Sequence, residues 1–225
     1  MASIVAVSRQ FGSGGARIGR AVAQRLNFHY ADREILAEAA RRLHCEASDI
    51  EPMEERTASI WERIGTLFAL GAPDTPFIPP TLPSVTEAQL FSVERAVIES
   101  IAAHGRAVIV GRGAAHVLGD SREILRVFLH APLANRVSLA MAEYGFSDRA
   151  EAEAVVRSSD AERAKFVKGL TGKSWCDASL YDITLDTTAI GAERVADILV
   201  DLVQRPDVAA LPPVAPRSAV DGDAR

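Results

Sequence analysis

Lysine is scarce in this chain: Lys165, Lys168 and Lys173 are the only three in 225 residues, and all fall within nine positions. Lysine and arginine together number 25 against 30 acidic residues, a formal net charge of −5. That balance excludes a nucleic-acid binder working through a broad basic surface. Cysteine is equally rare. Cys45 and Cys176 stand far apart without C-x-x-C spacing, which points to reduced thiols and away from disulfide or metal roles. The five histidines are scattered and make no ligand pair at helical spacing, so no metal site is expected. No apolar run approaches membrane-spanning length, and no basic stretch precedes the first short apolar run. A cytoplasmic protein without membrane contact is the expectation.

What is present, with 48% apolar and 24% charged residues, is an ordinary globular balance. The chain is long enough for one domain with a full core and an elaboration. It is organised around its first twenty residues. Ile4 to Val7 reads as a buried strand, Gly12-Ser13-Gly14-Gly15 as a loop, and Ala16 to Leu26 as a helix with Ile18, Val22 and Leu26 inward. Strand, glycine loop and helix together present backbone N–H groups to a phosphate at the positive end of a helix dipole. The P-loop pattern G-x-x-x-x-G-K-[ST] would put its lysine at Gly15 and its hydroxyl at Ala16, so both side chains are missing. The dinucleotide pattern G-x-G-x-x-G meets Arg17 where its third glycine belongs, although Asp32 would suit its ribose contact. A tight turn that binds nothing is the plain alternative.

Further on, 27–31 reads as a second strand, 34–44 and 49–70 as helices, and 72–83, with five prolines, as an irregular loop. Ser84 and Glu87 have capping-box spacing and open a helix that runs to His104. Residues 46–104 thus read as a helical insertion, suited to covering a site, to a homodimer contact or to a structural arm. Strands follow at 106–110, 124–130 and 181–186. Helices are expected from Pro132 to Gly145, from Ser147-Asp148 to about Gly169, and over 193–204. The chain from Pro206 reads as a disordered tail. Alternating strands and helices predict an α/β fold, a five-stranded parallel sheet covered on both faces. Its ligand belongs beyond the carboxyl ends of the strands. Ser8 and Arg9, Asp32 and Arg33, Gly111 and Arg112, and Asp186 and Thr187 fall at those ends. Three of these are arginines, which makes an anion pocket plausible, with Arg33 and Arg112 favoured over Arg9.

Arg163 to Lys173 carries four basic residues and no acidic one, beside Gly169 and Gly172. A solvated helix face usually mixes signs, so 147–176 reads as a lid able to carry charge to a phosphate. Asp160 and Arg163 share a helix face and could equally form a surface pair.

SRQFGSGG, YADREIL, VIVGRGAAHVL, the D-x-x-R of Asp160 and Arg163, TGKSW and YDITLDTT together resemble the cytidylate kinase-like family from about Ile4 to Val203. That family is a branch of the P-loop nucleoside monophosphate kinases. The resemblance implies a P-loop kinase-type sheet within a single domain over 1–205, a helical substrate-side insertion and a lid. It implies ATP and Mg2+, the metal held mainly by phosphates and water, and phosphoryl transfer to a nucleoside monophosphate, CMP or dCMP first. Gly12, Ser13, Gly14, Gly15 and Ala16 would cradle the donor phosphates, with Arg136 on the lid or donor side. Asp32, Arg33, Arg112, Asp160 and Arg163 would line the acceptor side. Arg17, or Lys168 or Lys173 moving with the lid, would supply the cation that Gly15 lacks, with Arg163 beside them. Phe166 stands where relatives carry a lid tyrosine. A non-catalytic nucleotide-binding module, an NAD-type binder and a kinase acting outside nucleotides are the other readings.

Overall fold

All six residues of the first strand, β1 (Ile4–Arg9), are buried, as a strand enclosed on both faces and both edges must be. In the computed structural model it pairs in parallel with β3 (Ala107–Val110) and with β4 (Ile124–His130). Outside these lie β2 (His29–Ala31) and β5 (Ile183–Asp186), giving the order β2-β3-β1-β4-β5. The structure describes residues 2–32, 35, 87–119, 121 and 123–205. The helices expected over 34–44 and 49–70, the proline loop, Arg33, Cys45 and the tail from 206 lie outside them. So does most of the 46–104 insertion, with its suggested dimer contact.

Strand alternation sends Val5 and Val7 to one face and Ile4 and Ala6 to the other. The first face packs on Ile18, Val22 and Leu26 of α1 (Gly15–Leu26) and on Val195 and Leu199 of the C-terminal helix, Ala192–Gln204. The opposite face packs on Ile98 of α2 (Glu87–His104) and on Phe128, Val167, Trp175 and Tyr181. After β3 comes the short α3 (Ala114–Val117), and after β4 the hairpin of α4 (Leu133–Tyr144) and α5 (Arg149–Thr171). This hairpin builds a third cluster, in which Val137, Ala140, Tyr144, Ala152, Val155 and Val156 enclose Phe11 from the loop after β1. That placement fixes the loop to the hairpin.

Helix boundaries follow local chemistry, with two differences from the sequence reading. Pro132 lies one place outside α4, as an extended cap with ψ 140 whose carbonyl accepts from Asn135 and Arg136. Gly169 does not stop α5, since an interior glycine costs only about 1 kcal/mol. Gly172, left-handed at φ 70, does. Asp148 caps the start of α5 by accepting from the Ala150 N–H at 3.0 Å.

Candidate active site

The chain leaves β1 through a bend held from several sides. Gln10 N–H donates to the Leu129 carbonyl at 2.9 Å, and Gln10 Oε1 accepts from Ala131 N–H at 3.2 Å. The Gln10 carbonyl accepts from both the N–H and the hydroxyl of Ser13. Phe11, 1% exposed, stacks on Tyr144 with ring centroids 5.2 Å apart. Its N–H donates to Asp160 Oδ1 at 2.8 Å, and its carbonyl accepts from Arg136 Nη1 at 3.1 Å. Gly12 and Gly14 are both left-handed at φ 74. At Gly12 there is also no room, because a Cβ would lie 2.5 Å from the Arg136 carbonyl oxygen.

α1 then opens at Gly15 with no side-chain cap and no acidic residue in its first turn. The first N–H groups of a helix have no intrahelical acceptor, and the dipole adds positive potential there. This is an anion site in form. Arg17 stands exposed at its rim, with Nη2 3.7 Å from where a Gly14 Cβ would be.

The space above Gly15 is filled by Arg9. A Cβ at Gly15 would lie 2.7 Å from Arg9 Cδ and 2.8 Å from its Cβ. The side chain, 7% exposed, continues past Gly111 to place Nη2 3.5 Å from Asp32 Oδ1. The other oxygen of Asp32 accepts from the Tyr30 hydroxyl at 3.1 Å. Burial, and then the Asp32 carboxylate, pushes the Tyr30 hydroxyl above its ordinary range, so it remains a donor. Two strand ends thus carry one connected polar group, Arg9 of β1 and Asp32 after β2, and the Arg9 guanidinium packs closely over Gly111 after β3.

Arg112 belongs to the same edge. It adopts a left-handed φ of 52 between Gly111 and Gly113, a conformation that costs an L residue about 1–2 kcal/mol. Its Nη1 meets Glu94 Oε1 of α2 at 3.1 Å. Burial raises the Glu94 carboxyl pKa, partly offset by Arg112.

The remaining acceptor-side and donor-side candidates are joined to the loop. Arg136 is buried: Nε donates to the Ala131 carbonyl, and Nη1 is shared between Phe11 and Asp160. Arg163 approaches Asp160 at 3.6 Å and lies over the Phe11 ring at 5.7 Å. The structure therefore brings Asp160, Arg163 and Arg136 together as the support behind the bend. At the end of β5, Asp186 accepts from the N–H groups of Thr188 and Ala189 and serves as a helix cap.

The lysines are not brought to the loop. Lys165 and Lys168 are exposed on α5. Lys173 lines a separate hollow of about 180 Å³ with His116, Arg126, Thr171 and Ser179. Moving it to the loop as a lid would draw Val167 and Trp175, each 4% exposed, out of the core.

In the same hollow, burial and then Arg126 push the His116 imidazole from 6.5 down to about 4. The native protein keeps it neutral where the unfolded chain would bind a proton. Stability from this group is therefore complete above about pH 6.5 and is lost as pH falls toward about 4. Allowing for partial exposure, the change is on the order of 1–3 kcal/mol. Urea unfolding between about pH 4.5 and 7 is expected to show less of this loss in His116→Gln. Parallel curves for the two proteins would show that His116 does not contribute.

Sequence reasoning undervalued Arg9 and missed Gln10, Phe11 and Glu94. Position at a strand end was the signal for Arg9. Nothing local distinguishes the other three, whose roles come from β4, α4, α5 and the loop after β3. Among the described residues, no three His, Cys, Asp or Glu side chains converge on a metal position, and no helix is long and apolar enough to cross a membrane.

A parallel sheet in this order, with a glycine bend and an uncapped helix after its central strand, is a P-loop kinase fold. The sequence matches the cytidylate kinase-like family over residues 4–189, and the chain belongs to that family. No curated protein matches significantly. Among solved structures, an uncharacterized protein from Eubacterium ventriosum ATCC 27560 is similar at TM-score 0.64 and 18% identity, over 90% of this chain and 99% of that one. Shikimate kinase from Bacteroides thetaiotaomicron is similar at TM-score 0.51 and 15% identity, over 90% and 98% of the two chains. TT1252 from Thermus thermophilus is similar at 0.50 and 18%, over 94% and 99%. These likenesses concern the fold.

Proposed function

We propose that the protein transfers the γ-phosphoryl group of ATP to a nucleoside monophosphate, with CMP or dCMP the first acceptors to test. The observation that carries this reading is the uncapped opening of α1 behind the Gly12–Gly15 bend, in a chain of the cytidylate kinase-like family. Phosphoryl transfer asks a protein chiefly for alignment and charge neutralisation. The bend supplies backbone N–H groups for the donor phosphates. Arg112, with Asp32 beside it on the same edge, faces the acceptor. An acceptor phosphate oxygen forms the new bond to the γ-phosphorus while the bond to the β,γ-bridging oxygen breaks, and ADP leaves with that electron pair.

Among the described residues at this edge, Asp32, whose oxygens also face Arg9 and the Tyr30 hydroxyl, would lie toward a magnesium ion arriving with the nucleotide. Ala16 offers no hydroxyl, so phosphates and water would complete the shell. When bound, magnesium neutralises charge on the transferring group.

The second reading is a nucleotide-binding module without catalysis, favoured by Gly15 and Ala16 at the lysine and hydroxyl positions. Magnesium-ATP turnover with a panel of nucleoside monophosphates separates the two. The expected result is acceptor-dependent ADP release with CMP or dCMP. ATP binding without ADP release for any acceptor would establish the module instead, and NADH binding tighter than ATP would displace both. Lys168→Ala and Lys173→Ala are expected to retain turnover within about twofold, a change under 0.5 kcal/mol in the barrier. Loss of turnover in either would restore the moving lid.

A further inference from the structure

We infer that Arg9 is the catalytic cation of the glycine loop, in the role of the lysine that Gly15 lacks. The inference rests on the phosphoryl-transfer reading and deepens it. In the pattern G-x-x-x-x-G-K-[ST], the second glycine falls on Gly14 and the lysine on Gly15. Counting back five places puts the first glycine of the pattern on Arg9. Glycine and cation have therefore changed places along the chain.

In space they have not moved far apart. The carbons of the Arg9 stem lie 2.7–3.2 Å from where a Gly15 Cβ would be, so a long side chain can start from one position or the other. Two at once would collide. Glycine at position 15 is thus a consequence of arginine at position 9. The loop that lacks its lysine still encloses a fixed positive charge.

The guanidinium is also placed for transfer. It is 7% exposed, beside Gly111, and reaches Asp32 at 3.5 Å. It stands between the bend on the donor side and the Asp32–Arg112 edge on the acceptor side. A phosphoryl group passing from one to the other would travel beside this guanidinium. Arg9 stays protonated throughout and offsets the charge on the transferring oxygens, without reorganising at the moment of reaction. Arg17 is at the solvent rim and Lys173 is in another hollow, so neither is held in this way.

The test uses the full chain and four variants: Arg9→Met, Arg9→Lys, Gly15→Lys and the exchange Arg9→Gly with Gly15→Lys. Arg9→Met keeps a stem over Gly15 and removes the guanidinium together with its contact to Asp32. Its kcat is expected to fall on the order of 10³-fold, as when an arginine finger is lost, with the acceptor KM little changed. Arg9→Lys should keep more activity than Arg9→Met. Gly15→Lys alone should be impaired by collision with Arg9. The exchange should regain about tenfold or more over Arg9→Met, since it returns one cation to the same space.

Arg9→Met with kcat and magnesium-ATP affinity both within about twofold of the parent would overturn the inference. So would a folded exchange variant no better than the single variants. If the exchange variant does not fold, the Met and Lys variants decide. If the parent turns over no acceptor, calorimetry of magnesium-ATP binding separates the claims. An affinity loss of about tenfold in Arg9→Met would keep Arg9 as the phosphate cation while the transfer reading falls. Unchanged affinity, or no ATP binding by the parent, would remove Arg9 as well.

Discussion

Replacing Asp160 with alanine is expected to destabilise the protein by about 3 kcal/mol and to lower its melting temperature by roughly 6–12 °C. The carboxylate lies at the meeting point of three groups. It accepts from Phe11 N–H at 2.8 Å, pairs with Arg136 and stands 3.6 Å from Arg163. Arg136 is the decisive partner, because its side chain is 8% exposed and it would keep its charge with a neighbour removed. An uncompensated buried guanidinium costs more than the ion pair itself contributes. Asp160→Asn should cost nearly as much: its amide oxygen can still accept from Phe11 N–H, but its NH2 then faces the Arg136 Nη1 donor and the charge is lost. The same change should weaken magnesium-ATP binding, because Asp160 holds the bend in place from α5. A thermal scan with calorimetry of nucleotide binding checks both effects. A melting temperature within about 2 °C of the parent would mean that the Phe11 cluster alone holds the bend.

Gly12→Ala is expected to be the most damaging single methyl in the loop. Two costs add there. Left-handed backbone at φ 74 costs an alanine about 1–2 kcal/mol, and the new methyl meets main chain. Its Cβ would lie 2.5 Å from the carbonyl oxygen of Arg136 and 3.1 Å from the carbonyl carbon, in a buried turn of α4 that cannot rotate away. Overpacking of this kind adds about 1–3 kcal/mol, for a total of roughly 2–5. Gly14→Ala is the control. It has the same φ of 74, but its nearest neighbour is the exposed tip of the Arg17 side chain at 3.7 Å. Only the backbone cost applies, about 1–2 kcal/mol. Urea denaturation of the two variants compares them directly. Equal losses would show that the close approach of α4 to the bend carries no weight.

Much of this fold is legible along the chain because the evidence for it is local. The apolar run from Ile4 to Val7 can satisfy its burial only inside a sheet. The span Ile124–His130 emerges as a strand with both ends where the pattern places them. Gly145 and Asp148 end one helix and begin the next through their own backbone and side-chain chemistry. Pro132 is misplaced by one residue, because proline suits both a helix cap and the first turn and only the carbonyl bonds to Asn135 and Arg136 distinguish them.

The site is less legible, because its members come from distant parts of the chain. The lysine run looked like a lid since sequence shows charge but not the anchoring of Val167 within it and Trp175 just after it. Asp160 looked like a ligand contact or a surface pair, as spacing to Arg163 cannot reveal a third group 149 positions away at Phe11. Arg9 was one arginine among many until the sheet put its stem against Gly15.

From its order of residues alone, the protein is committed to a parallel sheet with a glycine bend after the first strand, since burial periodicity and turn chemistry act between near neighbours. Which charges serve that bend is settled only by packing. Side chains separated by tens or hundreds of residues compete for the same few cubic ångströms at the strand ends, and there the stem of Arg9 takes the space that Gly15 leaves open.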